Sequence, residues 1–389
     1  MAFNRSRLFR VVLVALGFCG VLGAAACGPE PVVETWPQSP RTDWWQVPPT
    51  PLSPRTAALG LWTGREVLLI GGSDAPACPP SASCAADPTP LTDGAAFDPG
   101  AGSWRRIADS PVPLLDAQGV VAGKSAYFLG TRQELFAYEV GRDAWTRTPV
   151  PFDPAAGYGL VAAGERLVAF LGSDESRPGK DYLFDPRSAA WTPLPADPLG
   201  AGFDRAMAWT GSELVLFDRE LVPNPGAEKP AVARAAVLDL AKRSWRRLPD
   251  SAMLSTGPWI MAGDQLVNPT LGGADGGEVG NWGRVYPNGG SVAPGSGVWS
   301  GLPNPPAGET PSAGARTATD AVYFGVKGAV LDTTTGSWQM VSAAPDGNVT
   351  GRTIVAAGVR MLVFGGARWD AAEESATLLN DTWIWSPPA

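Results

Sequence analysis

The chain has 389 residues, of which 44% are hydrophobic and only 17% are charged, which is enough apolar material for a large core and too little charge for a disordered chain. Its formal net charge of −8 gives an acidic surface that repels phosphate backbones, so we expect no nucleic-acid partner. The absence of histidine excludes a Ser-His-Asp triad, a Cys-His pair and any histidine-ligated metal site.

The first predicted element is a targeting segment. Residues 11–26 carry no charge and follow three arginines, Arg5, Arg7 and Arg10. This pattern is typical of a signal peptide, and the run is short for a stable membrane span. It ends in small residues before Cys27, which resembles a bacterial lipobox, although Ala24 stands where that motif usually has leucine. We expect residues 1–26 to be a lipoprotein signal peptide and Cys27 to be lipidated, with cleavage after residues 24–26 and secretion as the alternative.

A tether and a cysteine pair follow. Residues 27–42 are rich in proline and lack apolar periodicity, which predicts an extended tether to a membrane. Cys78 and Cys84 flank the segment Pro-Pro-Ser-Ala-Ser, and an exported chain is expected to oxidise such a pair to a disulfide. A reduced pair or a metal site is the alternative, although two thiolates supply only half of a zinc site.

An internal repeat fills residues 43–389. An acidic residue is followed six positions later by tryptophan in five places: Asp98 and Trp104, Glu139 and Trp145, Asp185 and Trp191, Asp239 and Trp245, Asp332 and Trp338. Trp299 looks like a sixth member with an enlarged turn. The intervening residues include proline and glycine in several copies, so each pair predicts two strands joined by a hairpin turn.

A second hairpin precedes each of these pairs. A glycine turn leads into a nearly continuous apolar run, as in residues 64–72 and 211–217. A run of this kind predicts a strand that is buried on both faces. Each unit therefore predicts four strands over about 50 residues.

The combined motif resembles the kelch repeat. A buried strand ends in Gly71-Gly72 in the first unit and in Gly365-Gly366 in the last, and the acid turn and the tryptophan follow in the repeat. The resemblance implies an all-β fold, a kelch-type β-propeller like the central domain of galactose oxidase. The central units lack the glycine pair, which leaves their boundaries open.

The two ends of the repeat complement each other. The last unit stops after its third strand, near Trp385, whereas residues 44–48 look like a fourth strand with nothing before it. Pairing the two would complete a blade and leave no open edge in the ring. We therefore predict seven four-stranded blades, the last closed by the N-terminal strand, with six as the alternative if residues 259–302 are an insertion.

Candidate ligand-binding residues lie outside the repeat positions. Four arginines precede the first strand of a unit, and we expect them at equivalent positions near one mouth of the channel: Arg55, Arg205, Arg316 and Arg352. They could bind backbone carbonyls at turns, or they could clamp a carboxylate or phosphate. Trp282 and Trp369 are candidates for stacking on a sugar, whereas the repeated tryptophans are expected to pack between blades. The connections between second and third strands share this mouth, which is the default ligand site.

Two classes of function fit these features. The resemblance implies a non-catalytic binding or scaffold module, held at the cell envelope by its lipid anchor, for a protein or glycan ligand. The alternative is a carbohydrate-active enzyme of sialidase or sialic acid epimerase type that uses the arginine cluster. Galactose oxidase chemistry is excluded because its copper needs histidine. We find no calcium loop, phosphate loop or dinucleotide fingerprint, so we expect no cofactor and no metal, and we expect a monomer.

Overall fold

The computed structural model shows a chain built almost entirely of β-strands. It describes residues 44–79, 89–224, 230–268, 289–302, 312–316, 321–324, 329–332, 336–347, 349–370, 372 and 375–386, with the backbone alone for 312–316, 321–324 and 329. The predicted signal peptide, Cys27 and the tether lie outside these residues, as does Cys84, so lipidation and the disulfide to Cys78 stay predictions. The helix found within them is a single 3-10 turn, Pro154–Ala156, and none there is long and apolar enough to cross a membrane.

Six antiparallel sheets follow one another along the chain, and we number them as blades 1–6. Blade 1 contains β2 (Leu59–Trp62), β3 (Val67–Ile70), β4 (Gly94–Asp98) and β5 (Ser103–Ile107), and blade 2 contains β6 (Gly119–Ala122), β7 (Ser125–Leu129), β8 (Glu134–Glu139) and β9 (Ala144–Pro149). Blade 3 contains β10 (Tyr158–Ala163), β11 (Arg166–Leu171), β12 (Tyr182–Asp185) and β13 (Ala190–Pro193), and blade 4 contains β14 (Gly202–Trp209), β15 (Leu214–Glu220), β16 (Ala233–Asp239) and β17 (Ser244–Arg247). Blade 5 contains β18 (Ile260–Ala262), β19 (Gln265–Asn268), β20 (Gly290–Ala293) and β21 (Val298–Gly301), and blade 6 contains β22 (Ser312–Arg316), β23 (Ala321–Phe324), β24 (Ala329–Asp332) and β25 (Ser337–Met340).

Blade 7 joins the two ends of the described chain. It contains β27 (Thr353–Ala357), β28 (Arg360–Trp369), β29 (Ala376–Trp385) and the first strand, β1 (Trp44–Gln46). Strand β1 pairs antiparallel with β29, with Trp44 opposite Trp385. A short strand, β26 (Val349–Thr350), adds to the far end of β28. The predicted closure of the last blade by the N-terminal strand is therefore confirmed.

The blades form a ring. The first strand of each blade contacts the first strand of the next, from β2 through β6, β10, β14, β18 and β22 to β27, and β27 contacts β2. The chain is thus a seven-bladed β-propeller, as predicted. The six-blade alternative is wrong, because β18, β19, β20 and β21 form a complete four-stranded sheet rather than an insertion.

The core lies between the blades. The described second strands are largely buried, and every residue of β3 is at most 1% exposed. One apolar cluster joins Val67 and Phe97 of blade 1 to Leu362 and Phe364 of blade 7. Burial on both faces explains why a second strand such as β3 has a continuously apolar sequence rather than an alternating one.

The repeated acid closes the turn between the third and fourth strands. The Oδ1 atom of Asp98 accepts a 3.0 Å hydrogen bond from the backbone N–H of Ala101, and Asp185 accepts one of 2.9 Å from Arg187. The residue two before the tryptophan is left-handed in these turns, as at Gly102 (φ 61°). Asp and Asn stabilise such turns by binding backbone N–H groups further along, which accounts for this half of the repeat.

The repeated tryptophan connects neighbouring blades. The indole Nε1 of Trp104 donates a 2.9 Å hydrogen bond to the carbonyl of Pro48, which follows the outer strand of the preceding blade. The same bond recurs around the ring, from Trp145 to Ala108, Trp191 to Pro149, Trp245 to Pro195, Trp299 to Pro249 and Trp44 to Ser342. These rings pack between blades, as predicted from the repeat.

Antiparallel blades give the ring two distinct faces. Connections between second and third strands, and those from one blade to the next, reach one face, which we call the loop face. Turns between first and second strands, and between third and fourth strands, reach the opposite one, the turn face. The predicted ligand site corresponds to the loop face.

Candidate functional site

A cleft of about 300 Å³ lies on the loop face where blades 7, 1 and 2 meet. Its walls come from the entry to blade 1, the connection after β3, the connection after β5 and the entry to blade 7. The lining residues are Thr56, Ala57, Ser73, Ala75, Pro76, Ala77, Cys78, Leu115, Asp116, Thr350 and Gly351. The volume is at the lower end of the range of roughly 300–1,000 Å³ that small-ligand sites occupy.

Backbone hydrogen bonds join three of the four wall segments of the cleft to one another. The N–H of Ala57 donates to the carbonyl of Gly351 at 2.9 Å, and the N–H of Asp116 donates to the carbonyl of Ala57 at 3.3 Å. Both Ala57 (φ 55°) and Asp116 (φ 48°) are left-handed, a conformation that costs non-glycine residues about 1–3 kcal/mol and that clusters at functional sites. The surrounding blades therefore hold the cleft in a defined shape.

The glycine pairs explain how the chain segments come so close here. Gly72 has a φ of 95°, and a Cβ on it would lie 2.5 Å from the carbonyl oxygen of Thr56. Gly365 has a φ of 61°, and a Cβ would lie 2.5 Å from the carbonyl oxygen of Arg55. No other residue type fits these positions, so the glycine pairs of blades 1 and 7 shape the junction beside the cleft.

Arg55 is buried next to the cleft, with 1% of its surface exposed. Its guanidinium forms a bidentate ion pair with Asp93, at 2.6 and 3.0 Å. The remaining donors bind the carbonyl of Gly71 and both the carbonyl and the hydroxyl of Ser53. An arginine side chain has five N–H donors, and all five are used here. Arg55 thus anchors the loop and has no donor left for a ligand.

Arg205 has the same kind of environment between blades 3 and 4. It is 8% exposed, binds Asp181 at 2.9 Å and Asp197 at 3.2 Å, and donates to the carbonyl of Leu171. Burial raises the pKa of the Asp181 carboxyl, and the adjacent guanidinium opposes that rise. The Arg205 guanidinium therefore holds three segments of the chain together.

A third buried ion pair was not predicted from the sequence. Arg234 binds Asp218 through two hydrogen bonds of 2.9 and 2.8 Å, and Asp218 is completely buried. The two residues face each other on β16 and β15. Asp218 interrupts the apolar run of β15, and a charge in such a run was the signal that could have identified this pair.

Of the four remaining candidate residues, Arg352 and Trp369 have described side chains. Arg352 forms an ion pair with Asp346 at 3.6 Å and donates to the carbonyl of Pro345; burial lowers the pKa of its guanidinium. Trp369 is 6% exposed and donates its indole N–H to the hydroxyl of Thr350, so it offers no free ring face for stacking. The side chains of Arg316 and Trp282 lie outside the described part of the chain.

The four arginines do not all occupy equivalent positions, contrary to the expectation from sequence. Arg205 and Arg352 are equivalent, because each directly precedes the first-strand residue that pairs with Phe217 or Phe364 of the second strand. Arg55 precedes β2 and Arg316 ends β22. The described guanidinium groups bind different carboxylates, those of Asp93, Asp181 with Asp197, and Asp346. No shared oxyanion clamp is formed by Arg55, Arg205 and Arg352.

The cleft itself has a weakly polar lining that contains one charged group, the exposed carboxylate of Asp116. The hydroxyl groups of Thr56, Ser73 and Thr350 and the nearby backbone supply hydrogen-bonding groups. Across the described residues, no group of three or more Cys, Asp or Glu residues is placed to hold a metal ion. The arrangement suits recognition by shape and hydrogen bonding. The four polar residues carried no signal in the sequence beyond their location in connections.

Comparisons with known proteins add no family assignment. No model of a protein family matches this chain, and no curated protein matches it. The candidate function is therefore inferred from the chain's own residues.

Proposed function

We propose that this chain is a non-catalytic binding or scaffold module of the bacterial cell envelope. In this proposal Cys27 carries a lipid anchor, residues 27–42 form the tether, and the propeller is of kelch type. The loop-face cleft binds a protein or glycan ligand. The observation that carries the proposal is the cleft between three blades, whose walls are joined by backbone hydrogen bonds.

Rigidity supports a binding role for this face. The buried pairs of Arg55 with Asp93 and of Arg205 with Asp181 hold long connections in one conformation. A connection that is already ordered loses less conformational entropy when a ligand binds. The resemblance to kelch propellers, which commonly bind proteins through such loops, points in the same direction.

The enzyme alternative receives less support. A sialidase-like or epimerase-like site would need arginine forks that are free to bind the substrate carboxylate. The donors of Arg55 are all used within the chain, and Arg205 is nearly inaccessible. Binding by the loop face is therefore the function that we retain.

Filling the cleft tests this proposal. We expect Ala77→Trp, which places a large ring in the cleft, to reduce capture of ligands from envelope extract on the immobilised full chain at least tenfold. Ala101→Trp, on an exposed turn of the turn face, is the matched control and should leave capture unchanged. Quantitative mass spectrometry of captured proteins and glycans measures both. Equal capture by the two variants would count against the loop face.

The same preparations test the anchor. We expect Cys27→Ser to move the chain from the membrane fraction to the soluble fraction, because acyl chains contribute about 0.8 kcal/mol per buried methylene to membrane binding. Incorporation of labelled fatty acid should be lost in parallel. Unchanged fractionation and labelling would remove the lipoprotein part of the proposal.

A further inference from the structure

A second and larger cavity, of about 600 Å³, opens on the turn face between blades 2, 3 and 4. The turns after β6 and β10 and the turn after β12 form its rim, and Trp209 at the end of β14 forms one wall. The lining residues are Ala122, Gly123, Lys124, Ser125, Tyr127, Ala163, Gly164, Glu165, Arg166, Asp185, Pro186, Arg187 and Trp209. Its volume lies in the range of small-ligand sites, roughly 300–1,000 Å³.

Two cations of this cavity form no ion pair among the described residues. Arg187 forms an ion pair with Glu165. Lys124 and Arg166, in contrast, have no ion pair with any carboxylate in the described part of the chain. The lining holds these two cations and Arg187 together with the carboxylates of Glu165 and Asp185, so it carries one surplus positive charge on a protein whose net charge is −8. Such charges attract and orient an anionic ligand.

An aromatic wall lies beside these cations. Trp209 is half-buried, packs partly against the apolar cluster between blades 3 and 4, and lines the cavity with the rest of its surface. Tyr127 and Ser125 contribute hydroxyl-bearing side chains to the lining. An aromatic surface with nearby hydrogen-bonding groups accommodates a ring that is apolar on one face and polar at its edge.

We propose that the turn-face cavity is a binding site for an anionic saccharide, a sugar that bears a carboxylate. Lys124 and Arg166 bind the carboxylate, and Trp209 packs against the sugar ring. An acidic peptide is the less suitable occupant, because peptides add to an open sheet edge or fill an elongated groove, whereas hairpin turns form the rim of this cavity. The site lies on the face opposite the cleft, so either proposal can fail alone.

Calorimetric titration of the full chain with a hexuronic acid trisaccharide and with its neutral hexose counterpart tests the proposal. We expect the uronate to bind and the neutral sugar to bind at least tenfold more weakly. Lys124→Gln and Arg166→Gln should each weaken uronate binding roughly tenfold, the effect of losing one charge-assisted hydrogen bond. Added salt should weaken binding further.

Two control variants and one further variant of the site make the outcome decisive. Arg132→Gln removes an exposed cation from the loop face and should leave uronate affinity unchanged. Ala77→Trp should also leave it unchanged, which separates this site from the cleft. Trp209→Leu should lower the affinity for the uronate. It should also reduce the change in tryptophan fluorescence that uronate binding produces in the natural chain.

Several results would overturn the proposal. These are the absence of uronate binding by folded protein, equal binding of the neutral trisaccharide, or an equal loss of affinity in Arg132→Gln. Binding of an acidic tripeptide as tightly as the uronate would show a charge-selective site rather than a saccharide site. Circular dichroism of each variant confirms that the propeller is intact.

Discussion

Two cations on each face of the propeller differ in how their donors are used. On the loop face, Arg55 and Arg205 are buried and bind carboxylates and carbonyls of their own chain. On the turn face, Lys124 and Arg166 line a cavity without an ion pair in the described part of the chain. The comparison teaches that an arginine near a propeller mouth indicates a ligand site only where its donors are unused.

The length of the connections accounts for the difference. Long loops bury backbone carbonyls that short turns do not, and a guanidinium can satisfy several of them at once. Tight turns satisfy themselves, as where the Thr63 hydroxyl accepts from the N–H of Glu66 and donates to the Glu66 carbonyl. Most turn-face cations therefore pair with partly exposed carboxylates, as Arg65 does with Asp98, whereas Arg105 binds the buried Glu66 through two hydrogen bonds of 3.0 and 2.8 Å.

The largest expected effect lies on the loop face. Arg55→Met should lower the free energy of unfolding by about 3–5 kcal/mol, because it leaves Asp93 and two loop segments without their buried partner. Urea denaturation measures the change. Adding Asp93→Leu to Arg55→Met should recover part of the loss. A change below 1 kcal/mol would show that the pair is dispensable and would weaken the comparison between the faces.

An intermediate effect is expected at high pH on the turn face. Tyr138 is fully buried and donates to Asp143 at 2.7 Å, and burial raises its pKa from 10.0 to about 12. The folded state then keeps a proton that the unfolded state loses, so this stabilisation is complete below pH 10 and is lost as the pH rises towards 12. Two pKa units correspond to about 2–3 kcal/mol.

Comparison with Tyr138→Phe isolates this residue. Unfolding free energies measured at intervals between pH 9 and pH 12 should fall more steeply for the natural chain than for the variant. The absorbance of tyrosinate provides an independent titration. Parallel curves for the two proteins would indicate that Tyr138 ionises normally in the folded state.

The smallest effect is expected at the exposed pair on the rim of the turn-face cavity. The side chains of Arg187 and Glu165 are 81% and 67% exposed, and surface ion pairs contribute about 0–1 kcal/mol. Arg187→Gln should therefore change the melting temperature by no more than about 2 °C for a chain of this size. A larger shift would mean that turn-face cations also support the fold, which would contradict the difference between the faces.

Much of the fold follows from short-range patterns in the sequence. The spacing of Asp98 and Trp104 corresponds to one hairpin, and the continuous run at residues 67–70 corresponds to a strand between two blades. The fourth-strand character of residues 44–48 predicted the closure. These features depend on neighbouring residues and on the repeat, so one sequence was sufficient to predict them.

The candidate site was less predictable because its contacts are distant along the chain. The partner of Arg55 is 38 residues away, and that of Arg205 is 24 residues away. The sequence identified the four arginines but not which carboxylates would bind them. Asp116 and Trp209 belong to cavities built from three blades each, and no local pattern distinguishes them from ordinary loop and strand residues.

Joining the two ends of the described chain within one sheet also determines when folding can be completed. Gln46 on β1 donates a 2.8 Å hydrogen bond to Asp381, which is 335 residues away. Contacts of such sequence separation form slowly, and an unmatched strand edge is open to pairing with other chains until they form. Strand β29 must therefore be synthesised before β1 gains its partner. A product that ends before β29 would leave the edges of β1 and β28 unpaired.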